Sequence, residues 1–282
     1  MPETVLDYIW NGPPVTEERS LWLLSDEHLG SSDCALGHLK RTLQRIAEDK
    51  AHSRVVVIGD MVDIINVMDP RFDVRKIAAD FVPNLDNLAK SVADYWLKIH
   101  EPIADQIIGV GTGNHEEKSR LRYSNDIANY IAMSLGVPYI QQIARARIFN
   151  RDNVHKLTVK GVLSHAEKGA TTTGGKWAAV ERMIGDHEDI DFFAQAHTHA
   201  YGVQSFIRNN VEGQPGHGRR AEKEVVAFLT GGYLKTYGEG YSGYGAKRGY
   251  APCKLGTPRL KMRMVRTSMR GKSVDYKEVS GE

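Results

Sequence analysis

Short runs of apolar residues alternate with segments of helical periodicity along this chain. The first run, Leu21–Leu24, precedes a stretch in which apolar residues recur at helical spacing, from Ala35 to Asp49. Val55–Ile58 is a continuous β-branched run, as expected for a parallel strand that is buried on both faces. A helical pattern from Leu85 to Gln106 then leads into another apolar run, Ile107–Val110. This alternation predicts an α/β fold.

The second half of the chain is less regular and contains more predicted strands than helices. Helices are predicted at Asn125–Leu135, where Gly136 stops the pattern, and at Trp177–Ile184. The predicted strands are Arg145–Phe149, Lys156–Leu163, Asp191–Ala194, Val203–Ile207, Val225–Leu229 and Pro258–Val265. Because no linker composition divides the chain, residues 1–282 are predicted to form one domain, with a helical insertion at roughly 66–88.

Composition and charge exclude several classes of protein. The chain is 41% hydrophobic and 26% charged, as in a globular protein, and its formal net charge of +2 neither demands nor excludes a polyanionic partner. No apolar run approaches the roughly 18 residues that span a membrane, and the acidic N-terminal region does not resemble a secretory signal. Two cysteines, Cys34 and Cys253, cannot make a disulfide framework, so a cytoplasmic location and no membrane partner are expected.

Polar side chains follow the predicted strands at the points where the strands end. Asp26 and His28 follow the first strand, and Asp60 and Asp63 follow the second. The other residues placed in this way are Asn114, His115, Glu116, His165, His197 and His199. Ligands of α/β sheets bind beyond the carboxyl ends of the strands, so these side chains are expected at one rim.

The types of these residues indicate a metal site. Carboxylates and imidazoles together suit divalent manganese, iron or zinc better than metals that prefer thiolates. An aspartate can bridge two cations about 3.5–4 Å apart, as in two-metal hydrolases. In the Asp-x-His and His-x-His pairs, alternate residues share a face and can point at one centre.

In their order along the chain, these residues form five motifs. The motifs are Ser25-Asp26-Glu27-His28, Gly59-Asp60-Met61-Val62-Asp63, Gly113-Asn114-His115-Glu116, a lone His165, and Ala196-His197-Thr198-His199. The set, which runs from about residue 20 to 202, resembles the signature of calcineurin-like metallophosphoesterases. The resemblance implies a four-layer α/β/β/α sandwich of two mixed β-sheets flanked by helices, with two divalent metal ions at the rim.

The resemblance also implies which residues bind each ion. Asp26, His28 and His199 would hold one ion, Asn114, His165 and His197 the other, and Asp60 would bridge the two. Manganese is the first expectation, with iron, zinc or nickel as alternatives. A hydroxide that bridges the ions would attack phosphorus in line with the leaving oxygen.

Two further residues take catalytic roles by the same resemblance. His115 would donate a hydrogen bond or a proton to the leaving oxygen. Asp63 would orient His115, as a carboxylate orients an imidazole in other hydrolases. Glu116 is expected to be structural, bonding the backbone or a side chain behind the ligands.

Three positions depart from patterns within the family. Ala196 stands where the last motif usually begins with glycine, which is tolerated unless the position needs a positive φ. Ile64 follows the second motif, where protein phosphatases of the family carry arginine. His115 stands where lipid A pathway hydrolases carry arginine. The last two departures disfavour those two activities.

Basic and aromatic residues near the motifs are the candidates for substrate binding. Arg120 and Arg122 follow the third motif, Lys168 lies in a polar loop after the fourth, and Tyr233 begins a Tyr- and Gly-rich stretch. The insertion at 66–88 is interpreted either as a lip over the metals or as a solvated surface segment.

The last predicted strand carries a row of basic residues on one face, which are Arg259, Lys261 and Arg263. This row is interpreted either as a solvated face that protects a sheet edge or as a nucleic-acid surface.

These features predict a dinuclear metal-dependent phosphoester hydrolase, either a phosphodiesterase or a phosphatase. Its partner would be a phosphoester substrate, with nucleotides and nucleic acids among the candidates. One alternative is a DNA or RNA nuclease of the same superfamily, whose binding would fall steeply with added salt. Another is a non-catalytic interaction module, like the retromer subunit that keeps this fold, although the complete set of ligand residues argues against it. The oligomeric state stays open.

Overall fold

Two β-sheets of six strands each form the centre of the computed structural model. The structure describes residues 4–64, 72–165, 170–212, 219–236, 253–269 and 272–282. The strands are β1 (Thr4–Asn11), β2 (Arg19–Leu24), β3 (Ser53–Val57), β4 (Ile107–Gly111), β5 (Tyr139–Ile140), β6 (Ile143–Arg151), β7 (Lys156–Ser164), β8 (Phe192–Gln195), β9 (Tyr201–Glu212), β10 (Arg219–Thr230), β11 (Arg259–Met269) and β12 (Lys272–Gly281). The α-helices are α1 (Leu36–Glu48), α2 (Leu88–His100), α3 (Asn114–Tyr123), α4 (Ile127–Leu135) and α5 (Thr173–Gly185).

Both sheets mix parallel and antiparallel strands. One has the order β1-β6-β7-β8-β10-β9, and the other has the order β12-β11-β2-β3-β4-β5. The strands β2, β3 and β4 run parallel, as do β7 and β8. Because parallel neighbours end at the same edge of a sheet, the residues that follow them collect at one rim.

The inner layer of the core lies between the two sheets. Leu21 and Leu23 of β2 point into it, together with Phe192 of β8 and Phe228 of β10, and all four side chains are buried. Strand alternation sends the intervening residues of β2, Trp22 among them, to the opposite face of their sheet.

Helices cover the outer faces of both sheets. Leu39 of α1 and Val92 of α2 pack in one cluster with Trp22 and Val57 of the second sheet. On the first sheet, α5 packs against the residues of β8 and β10 that point outward. The four-layer α/β/β/α sandwich expected from the motifs is therefore confirmed.

The long helix predicted over Leu85–Gln106 is wrong in its extent. Only Leu88–His100 is α-helical, and 3₁₀ helices flank it at Ala79–Asn87 and Glu101–Gln106. Pro102 ends the α-helix, because proline has no backbone N–H to continue the hydrogen-bond ladder. On the other side, Asn84 has non-helical angles (φ −121°, ψ 38°) next to Pro83.

The predicted insertion at 66–88 contains no α-helix before Leu88 within its described residues. Its described part has 3₁₀ helices at Val74–Lys76 and Ala79–Asn87, while residues 65–71 lie outside the described ranges. Across the described ranges, the helices are too short or too polar to cross a lipid bilayer.

Candidate metal centre

The predicted ligand residues all lie just beyond strand ends, in loops or at the start of a helix. Asp26 and His28 follow β2, Asp60 follows β3 and His165 follows β7 directly. Asn114 is the first residue of α3, after β4. His197 and His199 follow β8.

The backbone of these loops is unusual. Within the described ranges, seven non-glycine residues have a positive φ, and five of them are predicted ligands: Asp26, His28, Asp60, His197 and His199. A positive φ is unfavourable for residues with a Cβ, and such residues cluster at functional sites. Ala196 is not among them, so the alanine in the last motif meets no backbone conflict.

Two motif glycines allow the loops after β3 and β4 to touch. A Cβ on Gly113 would overlap the side chain of Asp60, and a Cβ on Gly59 would overlap the backbone of Gly113. Gly59 also has a φ of 91°. At this contact, the backbone N–H of His115 donates to Asp60 Oδ1 at 2.9 Å, which orients the carboxylate.

The ligand atoms form two groups that meet at Asp60. One group is Asp26, His28 and His199, and the other is Asp60, His165 and His197, with the atoms of each group within 4.8 Å of one another. A third group that meets the same distance, His28, Asp60 and His115, overlaps both and includes the predicted proton donor. Asp60 Oδ2 lies 3.2 Å from His165 Nε2 and 3.8 Å from His28 Nε2, so it faces both groups. The structure thus brings together the two sets that the motifs predicted and places the predicted bridging residue between them.

Several ligand atoms are buried without a hydrogen-bond partner among the described residues. They include Asp26 Oδ1, both ring nitrogens of His28 and His199 Nδ1. A buried polar atom with no partner is costly, whereas a bound cation would satisfy it. Nitrogen and oxygen donors in this mixture fit divalent manganese, iron or zinc.

Asn114 completes the second group. Its side-chain oxygen faces His197 Nδ1 at 2.7 Å and Asp60 Oδ2 at 3.2 Å, which are both acceptors. An oxygen among acceptors is favourable when a cation lies between them. Turned by 180°, the same amide would instead donate hydrogen bonds to these two atoms and accept one from Lys118 Nζ at 3.3 Å, so without a cation the turned orientation satisfies the amide.

The tautomer of His165 also suits a ligand. Its Nδ1 lies 2.7 Å from the carbonyl oxygen of Ile58, and a carbonyl can only accept, so Nδ1 carries the hydrogen. In the neutral ring, the lone pair of His165 is therefore on Nε2, which points toward Asp60. Burial lowers the pKa of His165, but the Asp60 carboxylate outweighs it and raises this pKa to about 10, so a cation would displace a proton from Nε2. Ligating histidines are commonly held in this way by a bond from the second ring nitrogen.

His115 and Asp63 form a pair beside the two groups. His115 Nδ1 lies 3.0 Å from Asp63 Oδ1, and the ring packs edge-on against His28 with 4.8 Å between centroids. Burial lowers the pKa of His115, but the carboxylates of Asp60 and Asp63 outweigh it and raise this pKa to about 9. For His28, burial dominates and lowers the pKa to about 4.

Glu116 binds backbone rather than a ligand side chain. Its carboxylate accepts hydrogen bonds from the N–H groups of Asp60, Val62 and Gly113, at 3.0, 3.1 and 2.9 Å. These bonds tie the loop after β3 to the start of α3. This is the structural contact expected for Glu116.

The residues predicted to bind substrate differ in where the structure places them. Arg120 and Arg122 lie exposed on α3, and Arg120 forms an ion pair with Glu117, so a contact with phosphate remains a prediction for both. Lys168 lies outside the described residues.

The side chain of Tyr233 does not lie on the surface of the site. Its side chain is fully buried in the cluster between the second sheet and its helices, and only its backbone N–H reaches the site, bonding Asp26 O at 2.8 Å. The rest of the Tyr- and Gly-rich stretch, residues 237–252, falls outside the described ranges.

The basic row on β11 is engaged in intramolecular ion pairs. Arg259 and Lys261 both contact Glu282, at 2.8 and 2.5 Å, and Arg263 contacts Glu278 at 2.7 Å. These contacts favour a solvated face over a nucleic-acid surface. The edge-protecting part of that interpretation is wrong, because β11 lies between β12 and β2 and is not at an edge of its sheet.

Two contacts near the site were not predicted from the sequence. Lys176 of α5 donates to the carbonyl oxygen of Thr198, between two ligands, at 2.9 Å. Glu27, inside the first motif, is fully buried and accepts from the indole N–H of Trp96 at 2.8 Å. The partners are far apart in sequence, so only the position of Glu27 between two ligands could have drawn attention to it.

Comparison with known proteins adds little to this geometry. No protein-family model matches the chain, and no curated protein shows significant sequence similarity to it. Among solved structures, the matches include the structure of vacuolar protein sorting 29 from Cryptosporidium parvum, with 13% identity and a TM-score of 0.36. The alignment covers 94% of this chain and 99% of that one. We draw no functional inference from so distant a likeness.

Proposed function

We propose that this chain is a dinuclear metal-dependent phosphoester hydrolase, acting as a phosphodiesterase or phosphatase. The observation that carries the proposal is the meeting of two groups of ligand atoms at Asp60, next to the His115–Asp63 pair. When bound, two divalent cations activate water for attack on phosphorus and neutralise charge on the phosphoryl oxygens.

The chain's own residues supply positioning and proton transfer. Asp26 and Asp60 offset the charge of the cations, while the Asp63 carboxylate holds His115 Nδ1 and leaves Nε2 available to the leaving oxygen. Glu116 keeps the Asp60 loop and the start of α3 in register through its three backbone bonds. Manganese is the first metal we propose, with iron, zinc and nickel to be compared.

Removal of metal is expected to abolish hydrolysis reversibly. Protein stripped with a chelator should turn over neither bis-p-nitrophenyl phosphate nor p-nitrophenyl phosphate, and added Mn²⁺ should restore turnover, with the diester preferred. The rate of nitrophenolate release measures the turnover of either substrate, before and after Mn²⁺ is added. Undiminished turnover by stripped protein would contradict the proposal. Two bound ions with no turnover of either substrate would favour an interaction module instead.

The nuclease alternative has no comparable observation in its favour. The basic row on β11 is paired with carboxylates, and the net charge of the chain is only +2. If the protein binds DNA or RNA and the affinity falls steeply between low and moderate salt, the nuclease alternative would be favoured.

A further inference from the structure

A buried carboxylate lies behind the metal site, inside the first motif. Glu27 sits between Asp26 and His28 in sequence, but its side chain points away from the ligand atoms, into the layer between the second sheet and α2. There, Glu27 Oε2 accepts the indole N–H of Trp96 at 2.8 Å. Both side chains are fully buried.

His100 closes this group into a network. Its Nδ1 donates to the carbonyl oxygen of Trp96 at 2.9 Å, and its ring stacks on the Trp96 indole with 3.7 Å between centroids. Its Nε2 lies 3.3 Å from Glu27 Oε2. His100 is also fully buried, so a carboxylate, an indole and an imidazole share one buried site beside α2.

The loop that carries Glu27 is held from two sides. On the sheet side, the N–H groups of Asp26 and His28 donate to the carbonyl oxygens of Gly59 and Asp60, at 3.1 and 3.0 Å. On the helix side, the hydrogen bond from Trp96 holds Glu27. Asp26 and His28 have φ values of 49° and 47°, which the surrounding contacts must maintain.

Stability alone is a poor explanation for this network. Replacing two buried polar partners together with apolar residues of similar size is often nearly neutral or stabilising. Groups that stand behind metal ligands and orient them, by contrast, typically change metal affinity 10–100-fold when they are mutated.

We propose that Glu27, anchored by Trp96 and His100, is a positioning residue that aims Asp26 and His28 at a metal ion. This inference rests on the proposed function, and it concerns the ion of the Asp26, His28 and His199 group. The network contacts the ligand loop and not the reacting atoms, so its effect reaches catalysis through the ligands.

Replacing Trp96 with phenylalanine tests the anchor, because it removes the N–H and keeps most of the packing. Trp22→Phe is the matched control: it also removes a buried indole N–H from the same layer, but that group points to Ser53 Oγ at 3.3 Å, away from the ligands. Calorimetric titration of stripped protein with Mn²⁺ should show one of two ions binding about tenfold or more weakly in Trp96→Phe. Both ions should bind Trp22→Phe as they bind the wild type.

Two variants of Glu27 separate positioning from charge and from folding. Glu27→Gln keeps an acceptor for Trp96 and should bind both metal ions with affinities close to those of the wild type. If it loses as much affinity as the double leucine variant described next, the charge of Glu27 matters and its positioning role is overturned. The double variant Glu27→Leu with His100→Leu removes the buried pair together. It should melt near the wild-type temperature without metal, yet bind one ion at least tenfold more weakly.

The two proposals fail in different ways. If the wild type binds two ions, and Trp96→Phe and the double variant bind them with the same affinities, only the positioning role is overturned. Wild-type protein that binds neither Mn²⁺ nor Zn²⁺ would overturn the proposed function, and this inference with it.

Discussion

Replacing Asp60 with asparagine is expected to lower phosphodiester hydrolysis by about 10³-fold or more. Asp60 Oδ2 faces His165 and His28, which belong to different groups of ligand atoms, so the change removes a shared negative charge from both. Metal ions contribute several kcal/mol of transition-state stabilisation in such sites, and each 1.36 kcal/mol is tenfold in rate. The measurement is turnover of bis-p-nitrophenyl phosphate together with metal content by mass spectrometry.

Asp105→Asn is the matched control, because Asp105 is an exposed carboxylate that pairs with Lys50 on the surface. It should retain wild-type turnover and metal content. If Asp60→Asn instead binds two ions and turns over at more than about a tenth of the wild-type rate, Asp60 does not join the two ions.

Replacing His115 with alanine is expected to lower the rate by about 10²–10⁴-fold on substrates with a poor leaving group, the range for a general acid. p-Nitrophenolate leaves readily without a proton, so the loss on nitrophenyl esters should be much smaller. Asp63→Asn should show the same pattern with a smaller loss, since Asp63 acts through His115 Nδ1. The measurement is kcat for phenyl and nitrophenyl diesters side by side.

The control for His115 is His52→Ala, which changes a histidine at the opposite end of β3 from Asp60. That variant should keep both rates, and His115→Ala should keep wild-type metal content. Equal losses on the good and the poor leaving group would contradict a proton-donor role for His115.

The layers of the fold were predictable where the pattern of a strand or helix is strong. Val55–Ile58 is apolar throughout because β3 is covered on both faces, and α1 has a clear apolar stripe. β1 was missed because Val5 and Ile9, on its exposed face, are as apolar as Leu6 and Trp10 on its buried face, which hides the alternation.

α3 was missed for the opposite reason. Its sequence is polar except for Leu121 and Tyr123, so it has no apolar stripe, and charge placement was the remaining signal. Glu116 and Glu117 lie in its first turn and Arg120 and Arg122 in its last, which complements the helix dipole.

The position of the predicted metal ligands at the rim was predictable because each follows a strand within a few residues. The same reasoning could not show the direction of the Tyr233 side chain, which points into the core while its backbone reaches the site. The Glu27 network depends on α2, which packs behind the first motif only after the chain has folded, and no local pattern reports that contact.

The most direct test of a dinuclear centre is anomalous X-ray diffraction from crystals soaked in Mn²⁺. We expect two anomalous peaks about 3.5–4 Å apart, with Asp60 between them. One peak should contact Asp26, His28 and His199, and the other Asn114, His165 and His197. Data without any peak at this rim, from crystals that diffract well after soaking, would contradict the account.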